Sequence, residues 1–179
     1  MIPLRHLTPA VFALASVTAC MHRGRELPAP IPKIEGDPRT AFALEYIDIA
    51  AGTGALAEPR KCFFANYTGW LTNGKKFDSS HDTTSNGQPR QPISFPQGGR
   101  RVIAGWDSGF EGMRVGAKRR LLIPYQLAYS ELGRPPVIPP KAELIFDVEL
   151  MAVADTLPRT DPQAPAPRCP TWTEVSAKR

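Results

Sequence analysis

Few side chains in this chain could carry covalent or metal chemistry. His6 and His22 lie near the N-terminus, so His81 is the one histidine within residues 40–155, and Cys62 is the one cysteine there. A zinc site needs three or four Cys, His or carboxylate ligands, and a Ser-His-Asp site needs a histidine beside its serine. The sequence also lacks G-x-S-x-G, H-E-x-x-H and glycine-rich phosphate-loop motifs. We therefore expect no metal and no cofactor, and a site that works by shape, burial and hydrogen bonding.

Aromatic side chains could form such a site. Residues 143–150 alternate strictly, which places Phe146 on the inward face of a strand and predicts that Asp147 faces water. Trp106, Phe110 and Met113 are spaced i, i+4, i+7, so they share the apolar face of a short helix. Both Phe146 and Trp106 are therefore expected to face the interior of one domain.

The elements that must position these residues are strands and a single helix. The predicted strands cover residues 44–49, 62–71, 75–78, 118–124 and 143–150, with loops at 79–91 and 125–140. Asn73-Gly74 is a hairpin signal because both residues tolerate positive φ. The helix is expected to begin after Gly105 and to end at Gly116, a residue type that suits a helix C-cap. This order predicts an α+β domain, an antiparallel sheet with a short helix on one face.

Composition and charge limit the possible partners. Of the 179 residues, 42% are hydrophobic and 22% are charged, which is typical of a globular protein. Six of the 20 prolines precede Thr40 and five follow Asp155, so both ends are expected to be extended and proline-rich. The net charge is +5, yet residues 40–155 carry 13 basic and 12 acidic residues. Because a nucleic-acid-binding domain carries its positive charge on the folded face, we expect no nucleic-acid partner.

The N-terminal residues resemble a bacterial lipoprotein signal peptide. Arg5 precedes an apolar stretch, residues 7–19, that is shorter than the roughly 20 residues of a membrane-spanning helix. Thr18-Ala19 before Cys20 resembles a lipobox, in which cleavage precedes the cysteine and its thiol is acylated. The alternative is an ordinary signal peptide cleaved near a cysteine. The predicted division is a signal peptide at 1–19, a proline-rich tether at 20–39 from lipidated Cys20, a folded domain at 40–155 and a proline-rich tail at 156–179.

A lipid on Cys20 would anchor the chain to a membrane surface outside the cytoplasm. An aspartate directly after the lipidated cysteine resembles the inner-membrane retention signal of enteric bacteria. This chain has Met21 at that position, so we expect the anchor in the outer membrane, with the domain on the periplasmic side. In an oxidising compartment, two cysteines left over in a chain often form a disulfide, and here these would be Cys62 and Cys169. A disulfide would hold the tail, including Trp172, on the domain; the alternative is two unrelated thiols.

Several short motifs occur in a recognisable order along the chain. They are Tyr67-Thr68-Gly69, Gly74 to Ser80, Val102 to Trp106, Ala128-Tyr129, Ile138-Pro139-Pro140 and Leu144 to Leu150. Together they resemble the FK506-binding-protein (FKBP) family of peptidyl-prolyl isomerases, over about residues 42–152. The resemblance implies a twisted antiparallel sheet of about five strands around one short helix, with a pocket between them. It also implies proline-containing polypeptide substrates and FK506-type macrolide inhibitors.

The resemblance carries over a set of site residues. The implied catalytic residues are Tyr67, Phe77, Asp78, Trp106, Tyr129 and Phe146, and the implied substrate-binding residues are Ile93, Val102, Ile103 and Ile138. In this picture Trp106 lies under the proline ring, and the other apolar rings form walls. The Tyr129 hydroxyl and the Ile103 N–H hold substrate carbonyls. Asp78 hydrogen-bonds Tyr67 or the substrate and does not act as a base.

Three features depart from the family pattern. The loop between Asp82 and Pro92 is longer than in compact members, and Arg90 is the candidate for a basic residue usually found near it. Ile93 stands where an aromatic residue is common, and residues 130–136 are bulkier than the usual glycine-rich stretch. We therefore carry three hypotheses: a lipid-anchored prolyl isomerase, a chaperone or peptide-binding module with little turnover, and an interaction protein that binds through its proline-rich tails.

Overall fold

The computed structural model describes residues 28–36, 39–41, 43–157 and 168–178, so the predicted signal peptide and Cys20 lie outside the described residues. The strands are β1 (Arg39–Ala41), β2 (Leu44–Ala50), β3 (Cys62–Leu71), β4 (Lys76–Ser79), β5 (Ile93–Pro96), β6 (Lys118–Ile123) and β7 (Leu144–Ala154). The helices are α1 (Ala104–Gly109) and α2 (Trp172–Ser176), with a 3-10 turn at Tyr125–Leu127. The described strands form one antiparallel sheet in the order β1-β2-β6-β7-β3-β4, and β5 pairs with β3 as well.

The predicted α+β fold is confirmed, with differences in detail. The described part of the chain has seven strands rather than about five, because short strands β1 and β5 add to the edges. Helix α1 ends at Gly109, not at Gly116 as predicted. Gly112 has a φ of +73°, which reverses the chain after the helix. Gly116 instead leads into β6, and its N–H donates to the Leu150 carbonyl at 2.8 Å.

The core lies between α1 and the sheet, and two glycines bring them close. A Cβ atom on Gly105 would overlap the Ile123 side chain, and one on Gly109 would lie 2.7 Å from Leu121 Cδ1. Ile123 and Leu121 are buried residues of β6. The helix therefore rests directly on β6, and this contact sets the depth of Trp106.

Arg119 fixes the far end of α1. Its side chain is almost fully buried, and its guanidinium donates to the carbonyls of Gly109 at 2.9 Å and Glu111 at 3.0 Å. The same group donates to Asp48 of β2 at 2.6 Å and lies 4.1 Å from the centre of the Tyr46 ring. Since the last carbonyls of a helix lack partners within the helix, Arg119 satisfies them and ties α1 to the sheet.

The segment 28–36, part of the predicted tether, packs on the outer face of the sheet. Ile31 is 6% exposed and contacts Trp70 and Ile145. The buried Arg120 guanidinium donates to both carboxylate oxygens of Asp147 at 2.6 and 2.7 Å and to the Pro32 carbonyl at 2.7 Å. Asp147 lies on the outward face as expected, but its carboxylate is only 28% exposed, because it pairs with the buried Arg120 guanidinium.

The C-terminal segment covers the other end of the same face. Cys62 and Cys169 form a disulfide with a Cα–Cα distance of 5.5 Å, which settles the alternative that the sequence left open. Thr171 and Glu174 cap α2 reciprocally. The Trp172 ring packs 5.8 Å from the Phe64 ring, in an apolar cluster that also contains Val175.

We predict that Ile31→Ala destabilises the protein. Deleting a buried aliphatic side chain typically costs about 2–5 kcal/mol, and at this peripheral cluster we expect about 2 kcal/mol. The free energy of unfolding in urea is the measurement. Leu132→Ala, at a position that is 80% exposed, is the control and should change it little. Equal stability of the two variants would mean that segment 28–36 does not bind the sheet.

Candidate active site

An aromatic cluster occupies the inner face of the sheet beside α1. The Trp106 ring lies 5.1 Å from the Tyr67 ring and 5.2 Å from the Phe146 ring, both close to edge-to-face. Phe77 meets Phe146 at 5.5 Å, again edge-to-face. These are the geometries that aromatic quadrupoles favour. Four of the predicted site residues are thus in direct contact, with Trp106 buried and Tyr67 and Phe77 partly exposed.

Each ring in this cluster comes from a different part of the sheet or from the helix. Tyr67 projects from β3, Phe77 from β4 and Phe146 from β7. Gly69 pairs with Phe146 across the β3–β7 ladder, and a Cβ atom there would lie 2.7 Å from both the Phe146 and the Phe77 rings. Glycine at position 69 therefore makes the space in which two walls of the site stand.

The remaining apolar residues predicted for the site pack against the same core. Ile138 is 3% exposed, and four other residues are partly buried beside the cluster: Ile93, Val102, Ile103 and Tyr129. Tyr129 lies on a loop that folds back tightly on itself, because a Cβ atom on Gly133 would overlap the Pro139 backbone. The Arg134 guanidinium stands 6.0 Å from the Tyr129 ring centre, while Leu132 of the same loop is exposed.

A hydrogen-bonded chain of three side chains closes one edge of the cluster. The Tyr67 hydroxyl donates to Asp78 Oδ2 at 2.6 Å, and Arg90 Nη1 donates to Asp78 Oδ1 at 2.7 Å. Burial alone would raise the pKa of the Asp78 carboxyl, but the hydrogen bonds from Tyr67 and Arg90 outweigh it and lower the pKa. Burial, followed by the bond to Asp78, raises the pKa of the Tyr67 hydroxyl. At neutral pH the pair is a carboxylate and a neutral phenol.

Three hydrogen-bond donors in the site have no acceptor among the described residues. The Trp106 indole N–H is buried and unpartnered. The Ile103 N–H, at the N-cap of α1, and the Tyr129 hydroxyl also make no hydrogen bond there. Leaving a buried donor unpaired costs about 1–3 kcal/mol, which applies to the Trp106 indole N–H, whereas Ile103 and Tyr129 are partly exposed. Because these donors belong to residues around the apolar rings, they can donate hydrogen bonds to the carbonyl oxygens of a bound molecule.

Comparison with known proteins identifies the family. The sequence model of the family of FKBP-type peptidyl-prolyl cis-trans isomerases matches residues 55–151 of this chain. The chain belongs to this family. It is 48% identical over 106 residues to an FK506-binding protein of Neisseria meningitidis, covering 59% of this chain and 92% of that one. It is 50% identical over 111 residues to FK506-binding protein 4 of Dictyostelium discoideum, covering 62% of this chain but only 28% of that relative.

Solved structures of this family share the fold. The crystal structure of FkpA from Escherichia coli superposes with a TM-score of 0.58 at 37% identity, covering 68% of this chain and 53% of that one. The crystal structure of AtFKBP13 gives 0.55 at 36% identity, covering 63% and 94%. No helix among the described residues is long and apolar enough to cross a membrane. The described residues also contain no cluster of side chains suited to a metal ion.

Some features of the aromatic cluster are not evident from the sequence. Arg90 was only a candidate basic residue, and the structure pairs it with Asp78. Gly69 entered as part of a motif, with no sign that two rings need its missing side chain. No sequence pattern indicates that the Trp106 indole N–H lacks an acceptor. The loop that follows Asp82 could have indicated Arg90, because it returns the chain beside β4.

We predict that Arg90→Gln raises the pKa of Asp78. The substitution removes a cation and a charge-assisted hydrogen bond, and leaves burial to act in the opposite direction. Carboxyl chemical shifts followed by NMR through the acid range give the pKa. Lys76→Gln is the matched control, because Lys76 pairs with Asp82 rather than with Asp78. An unchanged pKa of Asp78 in Arg90→Gln would contradict the assigned pairing.

Proposed function

We propose that this protein accelerates rotation about X-Pro peptide bonds in extracytoplasmic polypeptides, and that the aromatic cluster is the catalytic site. Rotation about a prolyl bond crosses a barrier of roughly 20 kcal/mol because it breaks amide resonance. The twisted amide has lost conjugation and is less dipolar than the planar one. A dry apolar site therefore disfavours the planar ground state relative to the transition state.

The single observation that carries this proposal is the combination of packed rings and unpartnered donors. Trp106 and Phe146 present apolar surface to a proline ring, while the Ile103 N–H and the Tyr129 hydroxyl have no acceptor in the described part of the chain. Substrate carbonyls on both sides of the proline can accept from these donors. Asp78 orients the Tyr67 hydroxyl by accepting a hydrogen bond from it. Rotation about the prolyl bond requires no proton transfer.

A protease-coupled assay on a proline-containing tetrapeptide tests the proposal directly, using the full chain. We expect isomerisation well above the spontaneous rate, and inhibition by an FK506-type macrolide that competes for the same rings. A folded protein with no rate above background would overturn the proposal.

The second candidate is a peptide-binding or chaperone module with little turnover. The long 83–91 loop and the exposed Leu132 of the bulky 130–136 segment favour it, because both add surface that a polypeptide can contact. Tyr67→Ala and Phe146→Ala separate the two functions. If these variants lose isomerisation yet still protect an unfolded client from aggregation, binding is the main role.

The wall aromatics should matter more than the carboxylate. We predict that Phe146→Ala and Trp106→Leu each lower kcat/KM more than Asp78→Ala does. Truncating a packed aromatic admits water and leaves a cavity, which costs about 3–5 kcal/mol in a core. Losing one hydrogen bond at a half-exposed rim costs about 0.5–3 kcal/mol. Circular dichroism of each variant checks folding, and a larger loss in folded Asp78→Ala would contradict the desolvation mechanism.

The rate of isomerisation should be independent of pH between about pH 5 and 9. Asp78 stays ionised because its pKa lies below its usual value, and Tyr67 stays neutral because its pKa lies above. As pH falls through the lowered pKa of Asp78, Tyr67 loses its charged acceptor, and activity is expected to decline only there. A bell-shaped profile near neutrality would indicate proton transfer.

We further propose that residues 1–19 are removed and that lipidated Cys20 anchors the domain to the outer membrane, facing the periplasm. The exported location is supported by the Cys62–Cys169 disulfide, since such bonds persist in oxidising compartments. We predict that Cys20→Ser moves the protein from the membrane to the soluble fraction of a cell lysate, with loss of acyl label. A wild-type chain that carries no acyl group would contradict this proposal.

A further inference from the structure

A second concavity lies outside the aromatic cluster. It is a groove of about 380 Å³ at the edge of the sheet, between the base of the 83–91 loop and α2. Its walls include Asn66, Ser80, Arg90, Pro92, Met151 and Trp172. The volume is within the range of roughly 300–1,000 Å³ that is usual for ligand sites. Nothing in the mechanism proposed above uses this groove.

Two parts of the chain build the groove. The loop after β4 folds back on itself, with Thr83 paired to Pro89 and the Arg90 N–H donating to the Asp82 carbonyl at 3.3 Å. It leaves the sheet where neither β4 nor β5 covers the edge of β3. The opposite wall is Trp172, which the disulfide and the contact with Phe64 hold in place. That wall lies beyond the region matched by the family model, which ends at residue 151.

The groove is continuous with the edge of the aromatic site. Arg90 lines the groove, and its Nη1 donates at 2.7 Å to Asp78, which accepts from the Tyr67 hydroxyl. Ser80 lines the groove as well; its Oγ accepts from the Tyr67 N–H at 2.9 Å, and its N–H donates to the Tyr67 carbonyl at 3.0 Å. A polypeptide that leaves the aromatic site past Asp78 therefore enters the groove at Arg90.

The lining chemistry suits an unfolded polypeptide. Both cation–carboxylate pairs at the loop, Arg90 with Asp78 and Lys76 with Asp82, are neutralised within the protein. The other polar groups of the lining are amides, a hydroxyl and the imidazole of His81, beside tryptophan, methionine and proline surfaces. Amide groups match the hydrogen-bonding needs of a peptide backbone. Tryptophan and methionine contribute strongly to binding apolar side chains of varied shape.

We propose that this groove is a second binding site for the polypeptide substrate, and that it takes up apolar residues some distance along the chain from the proline being isomerised. The inference rests on the proposed isomerase function. It assigns the long 83–91 loop and the C-terminal helix a shared role in selecting extended, unfolded chains over short peptides.

The test compares two substrates on the full chain. A tetrapeptide with one X-Pro bond can fill only the aromatic site, whereas an unfolded protein whose refolding is limited by a prolyl bond can reach both sites. Trp172→Ala is expected to raise KM for the unfolded protein roughly tenfold, which corresponds to about 1.4 kcal/mol of binding free energy, because it removes one aromatic contact. It should leave kcat/KM for the tetrapeptide unchanged. Val175→Ala, also on α2 and packed in the same cluster but not lining the groove, is the matched control and should leave both unchanged.

Two outcomes would overturn the proposal. If Trp172→Ala leaves both substrates unaffected, the groove is not used; if it lowers turnover of both equally, the tail acts only through the fold. A proline-free synthetic peptide rich in leucine and phenylalanine should compete with the unfolded protein and not with the tetrapeptide. If the wild-type chain fails to isomerise the tetrapeptide, the isomerase function fails by itself. Binding of the proline-free peptide, measured by anisotropy with Trp172→Ala as comparison, then decides the groove.

Discussion

Trp106 stands at the bottom of the site because α1 lies almost in contact with β6. That approach requires glycine at positions 105 and 109, where any side chain would meet Ile123 or Leu121. It also requires Arg119, which satisfies the carbonyls at the end of the helix and connects them to β2. A six-residue helix is too short to be stable by itself, so packing and this cation hold it. The depth and tilt of the indole follow from that contact.

The aromatic site combines features that folding alone would not favour. Buried aromatic rings stabilise the folded protein most when every polar atom among them has a hydrogen-bond partner. Here the Trp106 indole N–H is buried and unpartnered in the described structure, and the N–H of the partly exposed Ile103 makes no hydrogen bond to the described residues either. The cost falls on the folded state and is offset by the extensive core between α1 and the sheet. A substrate with two carbonyl groups and an apolar ring can accept hydrogen bonds from these donors and cover the apolar surface beside them.

How much of this could be predicted depended on the range of each interaction. Local patterns were sufficient for β3, whose aromatic residues and following hairpin turn predicted Cys62–Leu71 correctly. The motif resemblance named residues that the fold does bring together around Trp106. It could not show that Asp147 pairs with a buried arginine, because Arg120 is covered by Pro32, which is 88 residues away from it in sequence. The contact of Ile31 with the sheet depends on tertiary packing that no local pattern encodes. The position of Trp172 on the domain followed from the Cys62–Cys169 pairing, which the sequence left open.

The central claim is that a proline ring lies on Trp106 while its amide bond rotates. The most direct measurement is NMR on the full chain with a proline-containing peptide, which combines cis–trans exchange spectra with intermolecular NOEs. We expect enhanced exchange together with NOEs from the proline ring protons to the Trp106 indole and the Phe146 ring. Enhanced exchange with proline NOEs only to residues outside the aromatic cluster would contradict this account.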